Sequence, residues 1–183
     1  MTVKSIVKLA CIMLKKECAI KYLETGEVSG DALETVNALT SCVSLTVNEL
    51  ACSYIPLIKE ESVDGSEKIA YSSLSENPLK ILSILDDSGR EIDFTQTAEF
   101  ITCKKSANKI KYSYSPSNFN LEDITGYNEA DVPARVIAYG VCAEYCLTIR
   151  AFSESVTFHK RYTESLEEIV LPRSFRIKGR AFN

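Results

Sequence analysis

The sequence predicts an α+β protein: a helical bundle with an inserted antiparallel β-sheet region and an extended C-terminal tail. Three observations carry this. Apolar residues recur at three-and-four spacing over residues 2–58 and 131–171, and alternation replaces that spacing over residues 62–116. After Pro172, residues 172–183 carry four positive charges and no negative one. With 183 residues, 45% of them hydrophobic, and a net charge of −4, the chain is long enough to bury its own core. Residues 1–171 are therefore read as one domain and residues 172–183 as a basic arm. Seven Gly and five Pro exclude a collagen-like or linker-dominated chain, and no apolar run approaches the ~18 to 20 residues of a membrane span. Lys4 and Lys8 interrupt the apolar residues at the N-terminus, so no secretory signal is read there and folding in the cytosol is expected.

Over residues 2–22, Val3, Ile6, Val7, Ala10, Met13 and Leu14 fall on one face and five lysines on the remainder, which predicts a single first helix. It runs out at Thr25-Gly26 and Ser29-Gly30. Asp31 is expected to cap the second helix, whose seam comprises Leu33, Val36, Thr40, Val43, Val47, Leu50, Tyr54 and Leu57, with Pro56 as its limit. Such a seam suits packing inside its own domain. Its length also suits a neighbouring subunit, with Val36, Val43, Val47, Leu50 and Tyr54 as the candidate inter-subunit face.

Within residues 62–116 the clearest strand is Lys109-Ile110-Lys111-Tyr112-Ser113-Tyr114, with Ile110, Tyr112 and Tyr114 on one side. The turn chemistry of Asp86-Asp87-Ser88-Gly89 predicts a hairpin between residues 79–85 and 91–94, and residues 104–108 a second one joining 99–103 to the Lys109 strand. Residues 115–128 read as loop, and Pro133 suits a first helical turn. Residues 134–149 are apolar nearly all round, which predicts the central helix, with Arg135, Glu144 and Arg150 as its polar exits. Ser153 is the expected N-cap of a fourth helix with Val156, His159, Tyr162, Leu166 and Ile169 on its buried face.

Catalytic patterns are missing from this reading. The seven cysteines are odd in number and show no two-residue spacing, so they read as reduced core thiols; no metal site and no cofactor is expected. The glycines form neither a Walker nor a dinucleotide pattern, and the serines lack a glycine-flanked elbow. Asp86, Asp87 and Asp93 lack the spacing of a calcium loop. His159, the one histidine, falls on the apolar stripe of the fourth helix and reads as structural, although a cleft around it would permit a general base. The chain is read as no enzyme.

The order of elements carries a resemblance. Two N-terminal helices, an antiparallel insertion, a strand ending Ile110-Lys111-Tyr112-Ser113-Tyr114-Ser115-Pro116, a helical hairpin and a tail are similar to the head–tail connector proteins of tailed bacteriophages and prophages. Residues 79–92 resemble that family's first β hairpin. The run Arg135-Val136-Ile137-Ala138-Tyr139-Gly140-Val141-Cys142-Ala143-Glu144-Tyr145-Cys146 resembles its alanine-rich penultimate helix, and Phe158-His159-Lys160-Arg161-Tyr162 the helix that follows. The resemblance implies a structural virion protein at the neck, present in the host cytoplasm before assembly. It would form a ring, commonly twelve-fold, between the portal protein and an adjoining tail or connector protein. Genomic DNA would pass through the ring without sequence-specific binding.

The arm fits either of two further readings. Arg173, Phe175, Arg176, Ile177, Lys178, Arg180 and Phe182 alternate basic and apolar character in a way that suits an extended segment laid on a partner. The alternative is a small cytosolic nucleic-acid-binding module, with Arg173, Arg176, Lys178 and Arg180 on phosphates and Phe175 or Phe182 stacked on bases. The rest of the chain sums to −8, which opposes phosphate binding, and a steep loss of binding with salt would distinguish the two.

Overall fold

Residues 1–170 are described by the computed structural model, and the arm residues Arg173, Phe175, Arg176, Ile177, Lys178, Arg180 and Phe182 lie outside the described residues. The fold is α+β. Helix α1 spans Val3–Met13 and buries Val3, Ile6, Val7, Ala10 and Cys11, the face set by the sequence spacing. Thr2 caps it by accepting the Ser5 N–H at 3.3 Å. The single helix expected over residues 2–22 is two helices, because α2 (Glu17–Thr25) starts afresh after a break. At the break Lys15 takes φ 55°, the Lys15 N–H bonds the Ile12 carbonyl and the Lys16 N–H bonds the Cys11 carbonyl. This is a Schellman cap with lysine where glycine is usual, so the sequence carries no glycine to announce it. The bend folds α2 back on α1, where Lys8 and Glu24 pair at 2.6 Å.

Helix α3 (Gly30–Glu49) begins at Ser29, whose Oγ accepts the Ala32 N–H at 3.3 Å; Asp31 stands inside the first turn instead of capping it. There its charge favours the positive end of the helix dipole. The last turn, Leu50–Tyr54, widens to a π-helix and closes at Ile55, whose N–H reaches the Leu50 carbonyl at 2.8 Å. Pro56 forces Ile55 into extended conformation, and strand begins at once. The expected inter-subunit face is corrected here. Val36, Val43, Val47 and Leu50 are fully buried in the core of their own chain, where α1, α2 and α4 pack on α3, and only Tyr54 of that set reaches the surface.

Helix α4 (Ala134–Thr148) is central, as its composition demanded, with nine buried residues and α1, α3 and α5 packed around it. Pro133 stands just outside it as an extended cap (φ −59°, ψ 139°). A second Schellman cap, with Arg150 at φ 60°, turns the chain into α5 (Phe152–Val170). Ser153 therefore lies within α5 and does not cap it. The inward stripe of α5 is Ser155, Phe158, Tyr162, Leu166 and Ile169, whereas Val156 and His159 are exposed, contrary to the reading from spacing. Ser155, small enough to pass beneath α4, donates from Oγ to the Ala143 carbonyl at 3.0 Å, and that contact fixes the rotation of α5.

Six antiparallel strands form two three-stranded sheets: β1 (Leu57–Ser62), β6 (Lys109–Ser115) and β3 (Asn77–Leu85) in one, β2 (Lys68–Ala70), β5 (Phe100–Cys103) and β4 (Phe94–Gln96) in the other. Their shared core includes Ile69, Ile81, Ile84, Ile101, Ile110 and Tyr112. The β region thus begins at Leu57, earlier than the expected residue 62. The predicted hairpins are also corrected. Asp86 does accept the N–H groups of Ser88 and Arg90 at 2.9 Å each, and the Ile92 N–H returns to the Ile84 carbonyl at 2.9 Å, but pairing stops there and the chain crosses to the other sheet. Likewise residues 104–108 carry the chain between sheets, delivering β6 to the centre of the first one. Alternation specified which face β6 buries but not which strands it joins.

Two cores meet at a seam. Tyr114 packs against both, and Leu57, first residue of β1, belongs to the helical core. The Tyr127 hydroxyl donates to the Ile55 carbonyl at 2.6 Å, and Ser115 Oγ donates to Asn48 Oδ1 at 2.5 Å. The long loop after β6 supplies the carbonyls of Asp123 and Leu121 to the Val3 and Lys4 N–H groups, at 3.0 and 2.9 Å, satisfying the open first turn of α1.

At Gly140 the helices α3, α4 and α5 come closest. A Cβ there would stand 2.5 Å from Thr46 Cγ2 and 3.1 Å from Tyr162 Cε2. Gly140→Ala is expected to destabilise the protein by about 1 to 3 kcal/mol despite the better helix propensity of alanine. Adding Thr46→Ala removes both the clashing methyl and a buried hydroxyl that finds no partner among the described residues. The double variant should lose at least about 1 kcal/mol less than the sum of the singles. Urea unfolding of the four chains measures this, and simple additivity would refute the steric account.

Candidate interaction surfaces

Nucleophilic chemistry is suppressed in the interior. Burial pushes the Cys11 and Cys42 thiols up to about 11 and the Cys142 thiol up to about 12, so all three stay protonated and unreactive at neutral pH. Cys103 and Cys146 are also buried and raised by the same cause. The expectation of core thiols is corrected for Cys18 and Cys52, which are exposed; none of the seven is joined in a disulfide. His159 stands on the outer side of α5, its ring centroid 6.3 Å from that of Tyr162. Among the described residues no group of three or more His, Cys, Asp or Glu side chains is placed to hold a metal ion.

Glu61 on β1 is a carboxylate held by side-chain donors from two other segments. It accepts from Ser75 Oγ at 2.6 Å and from the Tyr112 hydroxyl at 2.9 Å. Burial works to raise its carboxyl, but the bonds from Ser75 and Tyr112 outweigh burial and hold it below the usual range. An ionised acceptor flanked by donors on a sheet ties β1 to the segment before β3; it is not poised to move a proton.

Two apolar surfaces stand out, and neither was foreseen as a site. The first is the corner between α4 and α5, where Leu147, Ile149, Phe152 and Val156 are 48%, 49%, 61% and 68% exposed. Four large apolar side chains around the Arg150 turn are more than the scattered exposure usual on a folded surface. The sequence does hold a signal: Leu147, Ile149, Ala151, Phe152 and Val156 are too closely set for one helical stripe, so not all of them can face the core.

The second surface is a groove along the seam of the two cores. One hollow of about 450 Å³ is lined by Ala51, Cys52, Tyr54, Pro56, Leu79 and Leu82, among others. A second of about 240 Å³, lined by Thr163, Leu166, Glu167 and Val170 of α5, shares Tyr54 with the first. Leu79 and Leu82 reach it because β3 pairs with β6 through two irregularities, between Pro78 and Lys80 and between Ile81 and Ser83. Each bulge adds a residue that escapes the in-and-out alternation. Leu79, Ile81, Leu82, Ile84 and Leu85 follow one another in steps of two and one, and this departure from strict alternation was the available sign. Tyr54 is thus the member of the predicted helix face that does line a surface site, though it is a groove of the seam instead of a helix-packing face.

Among the described residues no helix is long and apolar enough to cross a membrane. Compared with known protein families and with curated proteins, the chain matches none.

Two outcomes follow from the thiols. A brief pulse of N-ethylmaleimide at neutral pH should label Cys18 and leave Cys11, Cys42, Cys103, Cys142 and Cys146 unmodified, as read by peptide mass spectrometry; labelling of any of the five in the folded chain would contradict their burial. The raised thiols also fix a sign. Folded-state values above the unfolded 9.0 give a contribution that is fully present below pH 9 and lost as pH rises toward about 11 to 12. Urea midpoints under reducing conditions should therefore fall between pH 8 and pH 10.5, and a flat profile would show that these thiols do not titrate on unfolding.

Proposed function

We propose that this chain is a structural subunit that assembles with copies of itself into a ring, acting as an adaptor between the portal and tail of a phage particle, with genomic DNA passing through the centre. The observation that carries the reading is the apolar corner of Leu147, Ile149, Phe152 and Val156, four exposed large apolar side chains within ten residues of the chain. A surface of this kind costs free energy while it faces water, and association with another subunit recovers it at roughly 25 cal/mol per Å² buried. Ring closure needs a heterologous contact, one patch of a subunit meeting a different patch of the next. The corner and the seam groove are two such unlike patches on one subunit. The resemblance of the element order to head–tail connectors supplies the portal and tail as partners. The excess of negative charge outside the arm suits a channel that must release DNA instead of holding it.

Mass photometry and negative-stain imaging, with and without a portal protein, test the reading. The expected result is a discrete species near twelve chain masses, the chain being 20.3 kDa. Phe152→Glu combined with Val156→Glu should abolish that species while leaving the thermal midpoint within a few degrees, since both side chains are exposed. A chain that remains monomeric under every condition, portal included, would overturn the proposal.

A further inference from the structure

The two hollows share Tyr54 as a lining residue, and the last described turn of α5 forms a wall of one of them through Thr163, Leu166, Glu167 and Val170. The arm therefore leaves the described part of the chain at the rim of an apolar groove. We propose that residues 172–183 occupy this groove in their own chain when the protein is free, with Phe175 and Ile177 as the inserted side chains. The inference does not depend on the ring reading.

Reach, pattern and charge support it. The thirteen residues beyond Val170 span roughly 40 Å at ~3.3 Å per residue, more than two adjoining hollows require. Between Phe175 and Lys178 apolar and basic residues alternate, so an extended segment would turn Phe175 and Ile177 toward the groove and Arg176 and Lys178 toward water. Glu167 lines the helical end, Glu168 follows it, and the negative end of the α5 dipole lies there as well, all complementary to Arg173 and Arg176. The charge match is confined to the α5 end, since Lys80 lines the sheet end. A tether of this length holds the arm near its groove at an effective concentration in the millimolar range, which favours the arm of the same chain over that of another.

The groove contains its own reporter. Cys52 is exposed and lines the sheet-side hollow, while Cys18 is exposed beside Lys15 and Lys16 at the junction of α1 and α2. The experiment compares maleimide labelling rates at both thiols in the full chain and in a full-length variant carrying Phe175→Ala and Ile177→Ala. Cys52 should react about tenfold faster in the variant and Cys18 equally in both, with the ratio unchanged across about a hundredfold dilution. Leu82→Asp alters the groove from the other side at an exposed position, and it too should speed labelling of Cys52. Equal Cys52 rates in wild type and arm variant would overturn the proposal. Protection lost on dilution would assign the groove to another copy's arm, and protection surviving Leu82→Asp would place the arm outside the groove; either result overturns it as well.

Discussion

The close crossing at Gly140 is the contact on which the placement of the helices depends. Without a side chain at that position, α3 approaches α4 until Thr46 lies against its backbone, and Tyr162 of α5 slides into the same gap. Tyr162 is consequently buried along almost its whole length and still reaches Glu49 with its hydroxyl, at 3.3 Å. Burial, with the charge of Glu49 and the bond to it, pushes its phenol well above the ordinary range, so it acts as a fixed neutral donor. One glycine thus couples three helices. It also sets where the end of α3 meets the end of α5, which is where Tyr54 and the groove are found.

From that point the chain passes into the β region without a linker. The π turn, Ile55 and Pro56 occupy only a few residues before β1, and the seam is closed by side chains that belong to both halves: Leu57, Tyr114 and Tyr127. Burial of Tyr127 raises its phenol, so it too remains protonated while donating to Ile55. A seam fastened this way transmits position from the helices to the sheet. It also leaves a crease on the outside, because a sheet edge with two bulges cannot follow the curve of a helix end. The groove is the geometric consequence of joining two separately cored bodies through one short turn.

Functional interpretation rests on surfaces because the interior offers little reactivity. Buried thiols are held neutral, Glu61 is saturated by donors, and the ion pairs with both partners well exposed, such as Lys104 with Asp93, are worth little by themselves. Apolar side chains left in water at the α4–α5 corner and along the seam are the costly features. The ring proposed above would bring them together as two unlike patches, the kind of contact a closed ring of identical subunits requires.

Element type was legible because it depends on local spacing: the face of α1, the central character of α4 and the inward set Ile110, Tyr112 and Tyr114 follow from the order of residues alone. The stop at Ile55 was equally local, since a proline acts on the residue before it. What the sequence could not decide was which of two adjacent stripes a helix turns inward, or which strand pairs with which. Val156 and Tyr162 share the spacing of one stripe, yet Ser155 under Ala143 rotates α5 so that only Tyr162 is buried. The breaks at Lys15 and Arg150 had no glycine to mark them, because tertiary packing imposed the left-handed residue. The surface sites were hidden for the same reason. Whether an apolar side chain is core or interface depends on what stands opposite it, and that is set by contacts between residues far apart in the chain: Thr46 with Gly140, Ser115 with Asn48, and Tyr127 with Ile55.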